Sequence, residues 1–228
     1  MKKLIQVEKL CYTIPFGQKI LEGIDFELHE GQFLGILGRN GVGKTTLLDL
    51  LLGFRPRTTG NIQVLGEDPL SLERKNLSSI CFLSQDIILK GSLSIAEYLK
   101  FYSAFYPNYS KQEEQKLLKS FSLSPEVKIG SLSTGQQKKV QIISSLSTLP
   151  KILMIDEISA VLDPETRHQF FEALNRHRLE HGLGILLATN IAEDLISRAD
   201  DVLFIDHTKG TIRKPSEILN LFHIEKAS

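Results

Sequence analysis

Residues 38–45 read GRNGVGKT. Glycines at Gly38, Gly41 and Gly43 let backbone N–H groups turn inward and approach phosphate oxygens closely. Lys44 brings a mobile positive charge to the β- and γ-phosphates of a nucleotide, and the Thr45 hydroxyl suits Mg²⁺. Arg39, Asn40, Val42 and Thr46 fill out the loop and the first turn of the helix it leads into, whose dipole favours an anion. The motif lies between a predicted strand, FLGILG, and a predicted apolar helix, the context that gives the spacing its meaning.

Two further segments carry chemistry. In KILMIDE, the apolar run Ile152 to Ile155 predicts a buried strand ending in Asp156 and Glu157. Carboxylates at the end of a buried strand are costly unless they meet a cation or a reacting water. Asp156 is suited to Mg²⁺, and Glu157 to orienting or deprotonating an attacking water. Twenty residues earlier, LSTGQ runs from Leu132 to Gln136. Ser133 suits the N-cap of a helix, and the N–H groups there, with Gly135 and Gln136, form a second anion site. A second anion site on a chain with one phosphate loop points to a nucleotide closed over by another copy of the chain. Read alone, LSTGQ is also an ordinary N-cap.

The elements that must position these residues alternate. LIQVEKLCYTI and IDFELHE change between apolar and polar at period two, as antiparallel strands do. Short buried strands are predicted at FLGILG, IQVLG, ICFLSQ, KILMIDE and GILLATN, with helices between them. From about Ser94 to Phe121 the spacing turns helical, broken by Pro107 and Asn108. Pro164 suits the first turn of the helix PETRHQFFEALNRHRLEHG, and DVLFID with TIRK predicts a hairpin. The pattern is α/β: a mostly parallel sheet with helices on both faces, an antiparallel β region and an inserted helical subdomain. The core with its β region takes residues 1–85 and 151–228, and the helical insertion residues 86–150.

The 228 residues are 42% hydrophobic and 24% charged, ordinary for a globular chain, and Lys+Arg and Asp+Glu both number 27. A balanced charge lacks the basic field of a dedicated nucleic-acid binder, so no nucleic-acid partner is expected. Cys11 and Cys81 form no C-x-x-C pair, which argues against a zinc site or disulfide framework and fits small buried hydrophobes in a reducing compartment. No apolar run approaches the ~18 residues of a membrane span, so a cytoplasmic chain that docks on a membrane protein is the expectation. No N-K-x-D motif supports GTP.

In their order, GRNGVGKT, LSTGQ and ILMIDE resemble the ATP-binding subunit of ABC transporters, and the resemblance covers nearly the whole chain. It implies a P-loop ATPase core that binds ATP and Mg²⁺. It also implies a transmembrane permease partner and a sandwich with a second copy or a related subunit, on the cytoplasmic face of the membrane. Gln85, ending ICFLSQ, then falls at the glutamine that senses Mg²⁺ and contacts the permease. Asp163 in AVLDP falls at the loop facing the opposite subunit. Phe16, or alternatively Tyr12, falls where the family stacks an aromatic on adenine; either aromatic also reads as a strand core residue.

Three departures stand out. Thr134 replaces the first glycine of LSGGQ, and Ile158 the proline after the acidic pair. Asn190 stands where the family's switch histidine follows Thr189, and none of His29, His168, His177, His181, His207 and His223 falls there. Asparagine can donate to the γ-phosphate but carries no charge, which implies slow hydrolysis. An ATP-dependent regulatory switch with little turnover is the alternative. SLSIAEYLKFYSAFYPNYS after Gln85, together with Thr134, resembles exporters of the ABC-2 type. Its Tyr98, Phe101, Phe105 and Tyr106 also fit an amphipathic helix packing inward.

Overall fold

The computed structural model describes residues 1–15 and 17–218. The chain runs β1 (Lys3–Thr13), β2 (Lys19–His29), β3 (Phe33–Leu37), α1 (Lys44–Leu51), β4 (Thr59–Val64), α2 (Arg74–Leu77), β5 (Ile80–Ser84), α3 (Ile95–Ser103) and α4 (Lys111–Ser120). It continues through α5 (Thr134–Leu146), β6 (Ile152–Asp156), α6 (Pro164–His181), β7 (Gly184–Thr189), α7 (Glu193–Ile196), β8 (Asp201–Asp206) and β9 (Lys209–Arg213). It divides into two compact units, Met1–Glu73 with Gly184–Ser228, and Arg74–Leu183.

The first unit holds both sheet types that the patterning predicts. The alternating segments pair antiparallel in the order β2-β1-β4. β3 lies parallel between β7 and β8, and the hairpin strand β9 closes the β8 edge antiparallel. Every residue of β3 and β7 is buried. Their continuous apolar runs are therefore what strands covered on both faces require. α7 seats Leu195 against Gly35, where a Cβ would come within 2.6 Å of its methyls.

The second unit pairs β5 and β6 in parallel, in register from Ile80↔Ile152 to Ser84↔Asp156. α5 packs on β5 and against α3, α4 and α6. Ser94 opens α3 with a reciprocal capping box to Glu97, and Asp163 caps α6 with Pro164 in its first turn. Along α3 and the turn that follows it, Ile95 and Leu99 are enclosed, and Tyr98, Tyr102 and Tyr106 are half-buried. Phe101 and Phe105 do not pack inward as one reading of the helix expects; they stay 60% and 58% exposed, ring against ring 5.1 Å apart. A spacing of four puts them on one stripe, and the tyrosines occupy the neighbouring stripe toward the interior.

Sequence reasoning passed over α2 and α7, each a single turn too short for a periodic signal. Cys81 is buried and Cys11 half-buried, both as free thiols. No helix among the described residues is long and apolar enough to cross a membrane.

Candidate functional site

The candidate residues fall in both units. In the first, β3 ends at Leu37 and the loop from Gly38 delivers the chain to α1. Gly41 and Gly43 take positive φ, 80° and 107°. At Gly43 a side chain would be strained and crowded, since a Cβ would sit 2.9 Å from the Ile20 side chain. Gly43 is also the N-cap of α1 and makes no side-chain cap. Lys44 is only 4% exposed, and its Nζ donates to Gly38 O at 2.9 Å and Arg39 O at 3.2 Å. The loop thus folds around its own lysine. Thr45 is exposed, Thr46 half-exposed, and Arg39 and Asn40 are exposed.

Asn190, just beyond β7, is exposed and donates from Nδ2 to Asn40 Oδ1 at 2.9 Å. Strand order explains the meeting, because β7 and β3 are parallel neighbours whose ends lead into these two residues. A cavity of about 900 Å³ opens beside the loop, lined by Asn40, Asn190, Gln18, Ile20 and His207 among others. Tyr12, the alternative adenine-stacking aromatic, is a core residue of β1 at 7% exposure, opposite Leu21. Phe16 lies outside the described residues, as does His223.

In the second unit, the register of β5 and β6 places Gln85 and Asp156 at adjacent strand ends, and the Gln85 N–H donates to Asp156 O at 3.4 Å. Asp156 is 7% exposed, while Gln85 is exposed. Glu157 takes φ 52°, a left-handed conformation that turns the chain sharply out of β6 into a short 3₁₀ turn. Such a backbone costs a non-glycine residue of order 1 kcal/mol and is over-represented where a side chain must be aimed.

Ser133 caps α5, accepting from Gln136 N at 3.2 Å, and Gln136 Oε1 accepts from Ser133 N at 2.9 Å. LSTGQ is therefore a full capping box, worth about 1 kcal/mol. A Cβ on Gly135 would meet nothing closer than Asp163 Oδ2 at 3.9 Å. Asp163 spends its carboxylate on Thr166, at 3.0 Å from N and 2.6 Å from Oγ1. The hydroxyl bond, followed by the amide bond, holds that carboxyl below the usual range.

Two charged groups were not singled out from sequence. Lys138 in α5 is 3% exposed and donates from Nζ to Ser84 O (3.2 Å), Gln85 O (2.6 Å), Ile87 O (3.1 Å) and Gln141 Oε1 (3.3 Å). Burial draws it below the ordinary lysine range, opposed by the charge of Asp86. Lys138 and Gln141, an i, i+3 pair, are buried together with Ser144 and Ser145 on a polar stretch of α5, which apolar periodicity does not reveal. Glu113 of α4 is the second. It accepts from Arg176 and from His177 Nε2, both on α6, the latter at 3.0 Å, with Lys116 at 3.5 Å. Burial pushes Glu113 up, but the His177 hydrogen bond and the surrounding positive charges outweigh it and hold the carboxyl low. Burial lowers His177. Its Nδ1 is enclosed without a hydrogen-bond partner, which fits a neutral ring with the proton on Nε2 and disfavours a second buried donor.

Thr45 in the first unit offers a hydroxyl, and Gln85 and Asp156 at the strand ends of the second offer an amide and a carboxylate; each is a hard oxygen donor of the kind Mg²⁺ takes. Among the described residues no group of three His, Cys, Asp or Glu forms a separate metal site. The strand–glycine loop–helix with its enclosed lysine defines a P-loop protein of α/β class. Comparison with known proteins carries this to a family. The ABC transporter family model matches residues 21–160, and the chain belongs to that family as an ATP-binding domain.

The spermidine/putrescine import ATP-binding protein PotA of Mesoplasma florum is 30% identical over 217 residues, covering 90% of this chain and 60% of that protein. The Nod factor export ATP-binding protein I of Sinorhizobium fredii is 29% identical over 217 residues, covering 92% and 63%. The chain therefore spans less than two thirds of either relative. Among solved structures, cbiO1 of Clostridium perfringens, part of the ABC transporter complex cbiONQ, superposes with a TM-score of 0.82 at 26% identity, over 100% of this chain and 94% of that one.

Proposed function

We propose that this chain binds and hydrolyses ATP to power a separate transmembrane permease at the cytoplasmic face of the membrane, in an exporter of the ABC-2 type. The observation that carries the proposal is the P-loop, with Lys44 enclosed by its own carbonyls and α1 opening on an uncapped glycine. The exporter branch rests on the aromatic α3 after Gln85 and on Thr134, and the export protein among the relatives supports it. We take residues 86–150 as the helical subdomain within the longer second unit.

In this reading the backbone of residues 38–43 and Lys44 hold the β- and γ-phosphates, with Arg39, Asn40, Val42 and Thr46 around them, and Phe16 stacks on adenine. Thr45, Gln85 and Asp156 hold Mg²⁺, which when bound neutralises charge developing on the phosphates. Glu157 accepts the proton of the attacking water as its oxygen bonds to the γ-phosphorus and the bond to the β-phosphate oxygen breaks, giving ADP and phosphate. Ser133, Gly135 and Gln136 of a second copy, or of a related subunit, cover the nucleotide. Asn190 supplies one neutral donor to the γ-phosphate, so turnover is active but slow.

Single-turnover hydrolysis by the wild type and Glu157→Gln tests this. Hydrolysis by the wild type alone is expected, with light scattering detecting an ATP-dependent dimer in the variant. Equal inertness of the two would make the chain an ATP-dependent switch.

A further inference from the structure

Lys138 stands out among the buried charges because every one of its hydrogen bonds given above ends on a single short segment or on the residue that shares it. Three backbone carbonyls, of Ser84, Gln85 and Ile87, converge on one ammonium at 2.6–3.2 Å, and the fourth acceptor is Gln141 Oε1. An ammonium has three hydrogens, so these four oxygens share them and enclose the nitrogen. Gln141 Nε2 in turn donates to Ile87 O at 2.7 Å. Two side chains one turn apart on α5 thus hold the chain as it leaves β5.

The segment they hold has little else to fix it. Gln85, Asp86, Ile87 and Ile88 are all exposed. Their backbone N–H bonds are few and long: Gln85 N to Asp156 O at 3.4 Å, Asp86 N to Ser84 Oγ at 3.2 Å and Ile87 N to Ser84 O at 3.4 Å. The charged groups facing Lys138 are also few, with Asp86 the one whose charge acts on it. Burying an ammonium is expensive unless its hydrogens are satisfied. Here it is satisfied only while the three carbonyls stay turned toward it, so the charge and the loop conformation enforce each other.

We propose that Lys138 is a positioning residue for Gln85: from the helix that LSTGQ opens, it fixes the backbone of residues 84–87 so that the Gln85 side chain is presented outward to the metal-bound nucleotide. The metal-bound nucleotide in this inference rests on the reading given under Proposed function. The clamp itself is a property of one compact unit. It makes the Gln85 loop move with the start of α5 rather than with the end of β5 alone, and it gives α5 a route to Gln85 through the backbone.

The test uses the full chain and two readouts. The first is amide hydrogen exchange without nucleotide. Lys138→Met, which keeps the stem and removes the donors, is expected to speed exchange at residues 85–87 by about tenfold or more while the middle of β5 is unchanged. The second is the ratio of affinities for ATP with Mg²⁺ and for ATP with a chelator, by calorimetry. Gln85→Ala is expected to lower that ratio, Lys138→Met to lower it in the same direction, and the double variant to fall no further than Gln85→Ala alone, because one residue acts through the other. Unchanged exchange at 85–87 overturns the proposal. So does faster exchange with the Mg²⁺ preference intact, or two losses that add. If the wild type binds no ATP, the nucleotide reading fails and the exchange result decides the clamp by itself. If Lys138→Met does not fold, Gln141→Leu removes the second hold on Ile87, and faster exchange confined to 86–88 is the expected result; no change there overturns the clamp equally.

Discussion

Two lysines lie buried to almost the same degree, Lys44 at 4% and Lys138 at 3% exposure, and both spend their ammonium on backbone carbonyls. The resemblance ends at the sequence. Lys44 sits in a glycine loop whose spacing announces it, and its carbonyl partners lie five and six residues back along its own loop. Lys138 sits in a helix among polar residues that give no sign of its burial, and holds a segment more than fifty residues away. A group that must meet a ligand is surrounded by local backbone kept open for it. A group that must hold the fold is surrounded by distant backbone it keeps closed. Substitutions on the ligand side should therefore change turnover or affinity and spare stability, while substitutions on the fold side should change exchange or melting first.

The largest effect expected on the ligand side is Glu157→Gln. Removing the group that takes the water's proton should lower single-turnover hydrolysis by about 10²–10⁴-fold, with the melting temperature within a degree or two of the wild type. A large loss of stability would move Glu157 to the other side of the comparison.

The largest effect expected on the fold side belongs to Glu113. Glu113→Gln leaves Arg176 without its counter-charge and weakens the acceptor facing the His177 N–H, and should cost about 2 kcal/mol. That is under the full penalty for orphaning a buried charge, because Arg176 is a third exposed. Denaturant unfolding at pH 7 measures it, and nucleotide affinity should not move.

The same cluster sets a pH dependence. His177 lies below its ordinary value of 6.5, so its contribution is complete above that pH and is lost as the pH falls through it. Glu113 lies below its ordinary 4.5, so its contribution is lost at lower pH again. Melting should decline from pH 7 to pH 5, and His177→Gln should flatten that decline.

Smaller effects are expected at the two departures from the family. Asn190→His restores a ring beside the P-loop and should raise turnover by about tenfold, less than the ~10²–10³-fold of a whole transition-state donor because asparagine already supplies one, and leave ATP affinity nearly unchanged. An equally fast wild type would mean that the Asn40–Asn190 pair already does the work. Thr134→Gly should change turnover by no more than about twofold, since the first turn of α5 offers backbone N–H groups with either residue, and the cap comes from Ser133.

These regions also separate what sequence shows from what it hides. The mostly parallel sheet, the antiparallel region and the helices at 95–103 and 111–120 were readable because strand and helix leave different apolar periods. The P-loop and the ends of β5 and β6 were readable because glycine spacing and acidic strand ends are local. The Asn40–Asn190 bond, the Lys138 clamp and the Glu113–Arg176–His177 cluster depend on register and on contacts 51 to 150 residues apart along the chain, which no window of sequence contains. Phe101 and Phe105 are the intermediate case: the period showed a helix, and only packing decides which stripe faces out.

The central claim, that the loop at residues 38–45 binds ATP through Lys44, is tested most directly by calorimetric titration of MgATP into the wild type and Lys44→Ala. The wild type is expected to bind and the variant to lose affinity by about 10²-fold or more, with its unfolding midpoint preserved, because a charge facing the β- and γ-phosphates has been removed. Equal affinity in the two proteins would contradict the account.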